Sequence, residues 1–165
     1  MIRIGLVGLP YDDNLGDPLM IECVKRICEK QFASNSNDDF EFEMIDLMAR
    51  ENNEEIPYKR SLGYYYYKFK KKLTRDERKY QSYEIKAFDK GKYQLFEVYY
   101  KEKLQKVDFI IIVGGALITY RYNRNFHSPI HLLISTAEKM NKQVLINSVG
   151  IENGYDLTFE SCRLV

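Results

Sequence analysis

Four short apolar runs punctuate the chain: Ile2 to Val7, Phe40 to Leu47, Asp108 to Val113 and Gln143 to Val149. Three are rich in Ile and Val, the pattern of strands covered on both faces. The second differs, because Phe40-Glu41-Phe42-Glu43-Met44-Ile45 alternates. Alternation predicts a strand near a sheet edge with one wet face. Between the runs, apolar residues recur at helical spacing. Pro18 to Phe32 carries Met20, Val24, Ile27 and Cys28, and Pro129 to Met140 carries Ile130, Leu133, Ile134, Ala137 and Met140. The order is strand, helix, strand, long helical insert, strand, helix, strand. It predicts an α/β fold, a Rossmann-like doubly wound parallel sheet of about four or more strands with helices on both faces.

The insert, about residues 58–106, differs in composition from its surroundings. From Lys59 to Lys106 there are 15 Lys and Arg against 6 Asp and Glu, while the remainder has 10 against 18. Ten of the 14 tyrosines lie between Tyr58 and Tyr100, including Tyr64-Tyr65-Tyr66-Tyr67. The segment reads as helical, broken near Asp89-Lys90-Gly91. Such a surface is either solvated, with tyrosines covering a core edge, or a docking face for an anionic membrane, an acidic glycan or a partner subunit.

Taken whole, the 165 residues suit one domain, and 25 basic against 24 acidic side chains give no global attraction to nucleic acid. Cys23, Cys28 and Cys162 form no paired framework. Cys23 and Cys28 read as small core residues of a helix, and free thiols suit a reducing cytoplasm. The opening Met1-Ile2-Arg3-Ile4-Gly5-Leu6-Val7-Gly8 is not a signal peptide, and no run is long enough to cross a membrane. A last amphipathic helix is expected from Leu157, capped by Asp156, through Phe159, Cys162 and Leu164. Its arrival at Val165 without a stop signal suggests a domain of a longer protein.

Three glycine-bearing turns carry the candidate chemistry. The first is Gly5-x-x-Gly8 followed by Asn14-Leu15-Gly16-Asp17-Pro18. Pro18 suits the first helical position and Asp17 the N-cap before it, worth about 1 kcal/mol. A carboxylate there opposes a phosphate and suits a sugar hydroxyl. The spacing matches neither a dinucleotide fingerprint nor a P-loop. The second turn is Gly114-Gly115, closing the run Val107 to Val113, where glycine permits positive φ and close ligand approach. The third is Asn147-Ser148-Val149-Gly150. In a doubly wound sheet the first strand lies between the second and third, and ligands bind beyond the strand carboxyl ends at that switch point. The turns at Asn14–Asp17 and Gly114-Gly115 are therefore expected to meet at one groove. His127 and His131, four apart, have no Glu or Cys pattern that would make them a metal pair, so no metal is expected. Arg121 and Arg124 face either an anionic substrate or water. No hydrolase triad or carboxylate pair can be assigned.

These residues resemble the polysaccharide pyruvyl transferases. That family opens with a strand and Asn-x-Gly-Asp, here Asn14-Leu15-Gly16-Asp17. It continues with a hydrophobic strand ending in glycines, here Val107-Asp108 through Gly114-Gly115. A helix and a strand ending in a Gly-Ile-like turn follow, here Ala137 through Val149-Gly150-Ile151. The likeness covers nearly the whole chain except the insert. It departs at Ala116-Leu117-Ile118 after the glycines and at Glu152-Asn153-Gly154 after Ile151.

The resemblance implies that residues 1–165 are the N-terminal lobe of a GT-B-like, two-lobed bacterial enzyme whose C-terminal lobe is absent. Pyruvyl would pass from phosphoenolpyruvate, a substrate rather than a cofactor, to a hydroxyl pair on a glycan or lipid-linked sugar. The product would decorate an exopolysaccharide, capsule or cell-wall glycan. Asn14, Gly16, Asp17, Gly114, Gly115, Thr119 and Gly150 are the expected substrate-binding residues, with Asp17 the one candidate base. Phosphoenolpyruvate would be held mainly by the other lobe, leaving this one inactive alone. The expected location is cytoplasmic, peripheral at the inner membrane face through the Lys/Tyr-rich insert, with no nucleic-acid partner. Self-association is a further expectation, because a lobe without its neighbour exposes an apolar edge. Rival readings are a nucleotide-sugar-dependent GT-B glycosyltransferase half and a non-catalytic interaction module. A dinucleotide oxidoreductase lacks the glycine fingerprint.

Overall fold

The structure is a computed structural model, and it describes residues 1–35, 39–51, 54–55, 61–115, 117, 126–147 and 149. Strand β1 (Ile2–Gly8) leads to helix α1 (Gly16–Asn35) and strand β2 (Phe40–Asp46). A small antiparallel hairpin follows, β3 (Arg50–Glu51) and β4 (Glu54–Glu55), which the hydropathy pattern does not predict. Then come helices α2 (Leu62–Leu73), α3 (Glu77–Gly91) and α4 (Tyr93–Gln105). Strand β5 (Phe109–Val113), helix α5 (His127–Lys139) and strand β6 (Gln143–Asn147) complete the described elements.

The four long strands form one parallel sheet in the order β2-β1-β5-β6. The doubly wound α/β expectation is met: β1 is central, and the winding direction reverses between β1 and β5. Alternate side chains sort to two faces. Ile4, Leu6, Ile111 and Val113 pack with Ile21 and Val24 of α1. Val7, Ile45, Ile110 and Ile112 pack against Phe96, Tyr100 and Leu104 of α4 and Ile130, Leu133 and Ala137 of α5. At the carboxyl end of β1, Gly8 is squeezed between neighbours. A Cβ there would lie 2.7 Å from the Val113 carbonyl oxygen and 2.8 Å from Ile21 Cδ1.

Several expectations are corrected. The stripe that α1 buries runs through Asp17, Ile21 and Val24, whereas Ile27 is 59 % exposed. Cys23 is exposed and only Cys28 is half-buried, so Cys23 is not a core residue. Strand β6 is not covered on both faces, because Leu145 and Ile146 are more than half exposed at the sheet edge. The Leu157–Val165 helix and Cys162 lie outside the described residues.

The insert folds as three helices. The break expected near Gly91 occurs at Lys92, between α3 and α4. A second break, at Thr74–Asp76, is additional. Asp76 caps α3 by accepting from the Lys79 N–H at 3.1 Å, which supplies the local reason. α2 and α3 form a hairpin, and its root is tied where Ser61 Oγ donates to the Lys90 carbonyl (2.5 Å) and accepts from the Tyr64 N–H (3.2 Å). Inside the hairpin, Glu84 accepts from Lys68 (2.9 Å) and from Lys71. Burial pushes the Glu84 carboxyl up, but hydrogen bonds from Lys71 and Lys68 outweigh it and leave the group below its ordinary value. Burial likewise pulls Lys71 down, and its bonds to Glu84 and Tyr80 leave it raised.

Two predictions follow from this packing. Gly8→Ala should cost about 2 kcal/mol in urea unfolding, because a backbone carbonyl cannot rotate away as a side chain can. The hairpin should hold across neutral pH. Glu84 loses its contribution as pH falls below 4.5 and through its lower folded value, and Lys71 loses its own as pH rises above 10.5. Glu84→Gln should weaken the hairpin by about 1–2 kcal/mol and abolish the acid limb. Amide exchange in α2 and α3 reads both effects.

Candidate functional site at the strand carboxyl ends

The β1–α1 loop is strapped on both sides. On the β5 side, Asp17 Oδ1 accepts from the Gly115 N–H at 3.3 Å, a bond spanning 98 residues. Asp17 Oδ2 accepts from Asn14 Nδ2 at 3.2 Å. The turns at Asn14–Asp17 and Gly114-Gly115 therefore meet, as the switch-point argument requires. Asp17 does not cap α1. The helix begins one residue earlier, and Asn14 Oδ1 accepts from the Gly16 N–H at 3.3 Å, an Asx turn at its start. This leaves the Asp17 carboxylate, 6 % exposed, to reach across to β5. Asn14, Leu15 and Gly16 stand exposed at the tip beside it.

Gly114 and Gly115 differ. Gly114 is buried, and a Cβ there would lie 2.7 Å from Leu117 Cδ1. Gly115 is half-buried, with room for a methyl 3.5 Å from Met20 Cε and 3.6 Å from Asp17 Oδ1. Neither uses the left-handed φ that glycine permits. Close packing and a backbone N–H turned toward Asp17 are what these positions supply. Thr119, Gly150, Arg121 and Arg124 lie outside the described residues. His127 opens α5, and His131 is half-buried within it.

On the β2 side the loop is held by residues that sequence reasoning missed. Asp46 ends β2 and is buried. Its Oδ2 accepts from Arg50 Nε (2.6 Å) and the Arg50 N–H (3.0 Å), and its Oδ1 from Arg50 Nη2 (3.3 Å) and the Met48 N–H (3.2 Å). Arg50 Nη1 then donates to the Tyr11 carbonyl at 3.0 Å, while the guanidinium lies 5.9 Å from the Tyr11 ring centre. Two tyrosines of α4 complete the seam. Tyr99 Oη accepts from the Asp46 N–H (3.0 Å), and Tyr100 Oη donates to the Leu47 carbonyl (2.7 Å). Burial pushes both phenols well above the ordinary tyrosine range, so both stay neutral, Tyr99 accepting from the backbone and Tyr100 donating to it. The available signal was an Asp at a strand end with Arg four residues on. In dinucleotide-binding domains an acidic residue at this position takes a ribose hydroxyl. Here both oxygens of Asp46 are consumed by Arg50 and the backbone. Among the described residues no three His, Cys, Asp or Glu side chains form a metal-binding group.

A parallel sheet whose winding reverses between β1 and β5 marks a Rossmann-like domain. The family comparison gives the narrower statement: the polysaccharide pyruvyl transferase model matches residues 14–164, and the chain belongs to that family. Comparisons with curated proteins and with solved structures gave no match. The matched segment begins at Asn14, the first residue of the turn that Asp17 anchors.

Asp46→Asn should cost about 3 kcal/mol in chemical denaturation, because it leaves the Arg50 charge partly buried without its carboxylate. Arg50→Lys should also destabilise, since an ammonium cannot reproduce the planar fork that engages both oxygens.

Proposed function

We propose that the rim between β1 and β5 binds the sugar acceptor in pyruvyl transfer from phosphoenolpyruvate. Asn14, Gly16, Asp17, Gly115, Thr119 and Gly150 would border the acceptor, with Gly114 packed beneath. Family membership supports the transferase class, and the Asp17–Gly115 bond at the switch point carries the placement of the site.

The chemistry assigns the roles. A sugar hydroxyl adds to C2 of the enol ester as C3 takes a proton. The second hydroxyl then displaces inorganic phosphate, closing the ketal. These steps need a proton donor for C3, a base for the hydroxyls and cations for the phosphate and carboxylate. Asp17 already accepts at both oxygens, so it serves as a positioning group that holds the acceptor loop rather than as the base. Arg50 is the cation described at this rim, and Asp46 engages it. The cations for phosphoenolpyruvate would therefore come from residues outside those described, including a further lobe of the kind the family likeness implies. This domain alone is expected to show no transfer.

Asp17→Asn in the intact protein should lower kcat/KM for the acceptor about tenfold, the worth of one charge-assisted hydrogen bond. Unchanged turnover and acceptor affinity would remove Asp17 from the site. Phosphoenolpyruvate should raise the melting temperature of the intact protein, and nucleotide sugars should not. The reverse result would move the assignment to a nucleotide-sugar transferase.

A further inference from the structure

Helix α2 has two faces of opposite character. Its inner face carries Tyr64, Tyr67, Lys68 and Lys71 against α3, where both lysines bond Glu84 and Tyr67 stacks on Tyr83 at 6.2 Å. Its outer face is apolar. Leu62, Tyr65, Tyr66, Phe69 and Leu73 are 51–89 % exposed. At helical pitch these five positions fall within about 100° of arc, with Lys70 and Lys72 on either side. Exposed apolar residues scattered singly are ordinary, but a continuous stripe along one helix marks a contact surface.

The charge around the stripe selects the partner. α2 contains four lysines and no acidic residue, and from Leu62 to Lys92 ten Lys and Arg stand against four Asp and Glu. The nearest paired carboxylate, Glu84, is turned inward. Leu, Phe and Tyr flanked by Lys match the depth profile of a bilayer interface. Apolar groups enter the acyl boundary, phenols sit at headgroup level and ammonium groups reach the phosphates. A helix of 12 residues is about 18 Å long and lies along such a surface rather than crossing it. Among the described residues no helix is long and apolar enough to cross a membrane.

We propose that α2 is an interfacial docking helix that lays its Leu62–Leu73 stripe into the surface of an anionic lipid bilayer. The position of the hairpin gives this a consequence. α4 returns the chain to the amino end of β5, so its own amino end lies toward the strand carboxyl ends, where Tyr99 meets Asp46. The hairpin joins α4 at that end, and Phe88 packs edge-on against Phe96 at 5.1 Å. Docking through α2 therefore attaches the membrane to the part of the insert nearest the candidate acceptor rim. The inference does not rest on pyruvyl chemistry.

Flotation of the intact chain with lipid vesicles tests it. Binding to phosphatidylcholine vesicles containing about one third phosphatidylserine should exceed binding to pure phosphatidylcholine by about tenfold, and salt should reduce the difference. Phe69→Ser with Leu73→Ser should lower binding about tenfold while the circular dichroism and melting temperature stay unchanged, because both side chains are exposed. Lys70→Gln with Lys72→Gln should reduce the preference for anionic vesicles. Absence of flotation, or undiminished flotation of the Phe69/Leu73 variant, would overturn the proposal. So would a stripe variant that loses self-association in sedimentation velocity without any vesicle binding by the parent, which would give the face to a second copy of the chain. The vesicles contain neither donor nor acceptor, so failure here leaves the transferase reading standing.

Discussion

The Asp17 carboxylate and the Gly115 N–H hold together two turns that the chain makes almost a hundred residues apart. Each turn by itself is a short glycine-containing connection with few ways to stay in place. Joined, they become one wall at the point where the sheet reverses its winding. The bond joins a buried carboxylate to the N–H of a half-buried glycine, and partial shielding makes such a bond worth more than one at a fully exposed surface. The second oxygen of Asp17 steadies Asn14, so the same side chain sets both the position of the turn and its shape.

The opposite flank of that loop is secured by different means. Arg50 grips Asp46 through its fork and reaches the Tyr11 carbonyl, while Tyr99 and Tyr100 of α4 clasp the end of β2. Both oxygens of Asp46 find donors in this seam, as a buried carboxylate must if it is to rigidify rather than weaken the fold. The insert is thus continuous with the site's support. Its last helix buries aromatic rings against the sheet and sets two hydroxyls against the backbone at the end of β2, and α3 packs on that helix and carries α2.

Much of the framework was legible because strand and helix periods differ so plainly. The unbroken Ile110-Ile111-Ile112 run and the alternating Phe40–Ile45 run marked a central and an edge strand, and the sheet places them there. The meeting of the two turns followed from the winding rule alone. Other features depended on partners that spacing cannot reveal. Asp17 looked like an N-cap because it precedes Pro18, yet Asn14 formed the opening turn and released it. Ile27 and Cys23 shared the helical rhythm of α1 but fell outside the arc that the sheet covers. The apolar run of β6 was right for a strand and wrong for its surroundings, since a run of Val, Leu and Ile does not say whether a neighbour lies beyond it. Asp46 and Arg50 went unnoticed because an Asp and an Arg four apart are commonplace until burial makes them matter.

Gly8 has an implication for how such a domain can diversify. Its hydrogen is all that separates β1 from the Val113 carbonyl and from Ile21, so the gap between the two strand ends has a fixed width. No substitution there can open the crevice without parting the sheet. Changes in the shape of this rim must therefore come from exchanging the loops above the strands, while the floor beneath them stays the same.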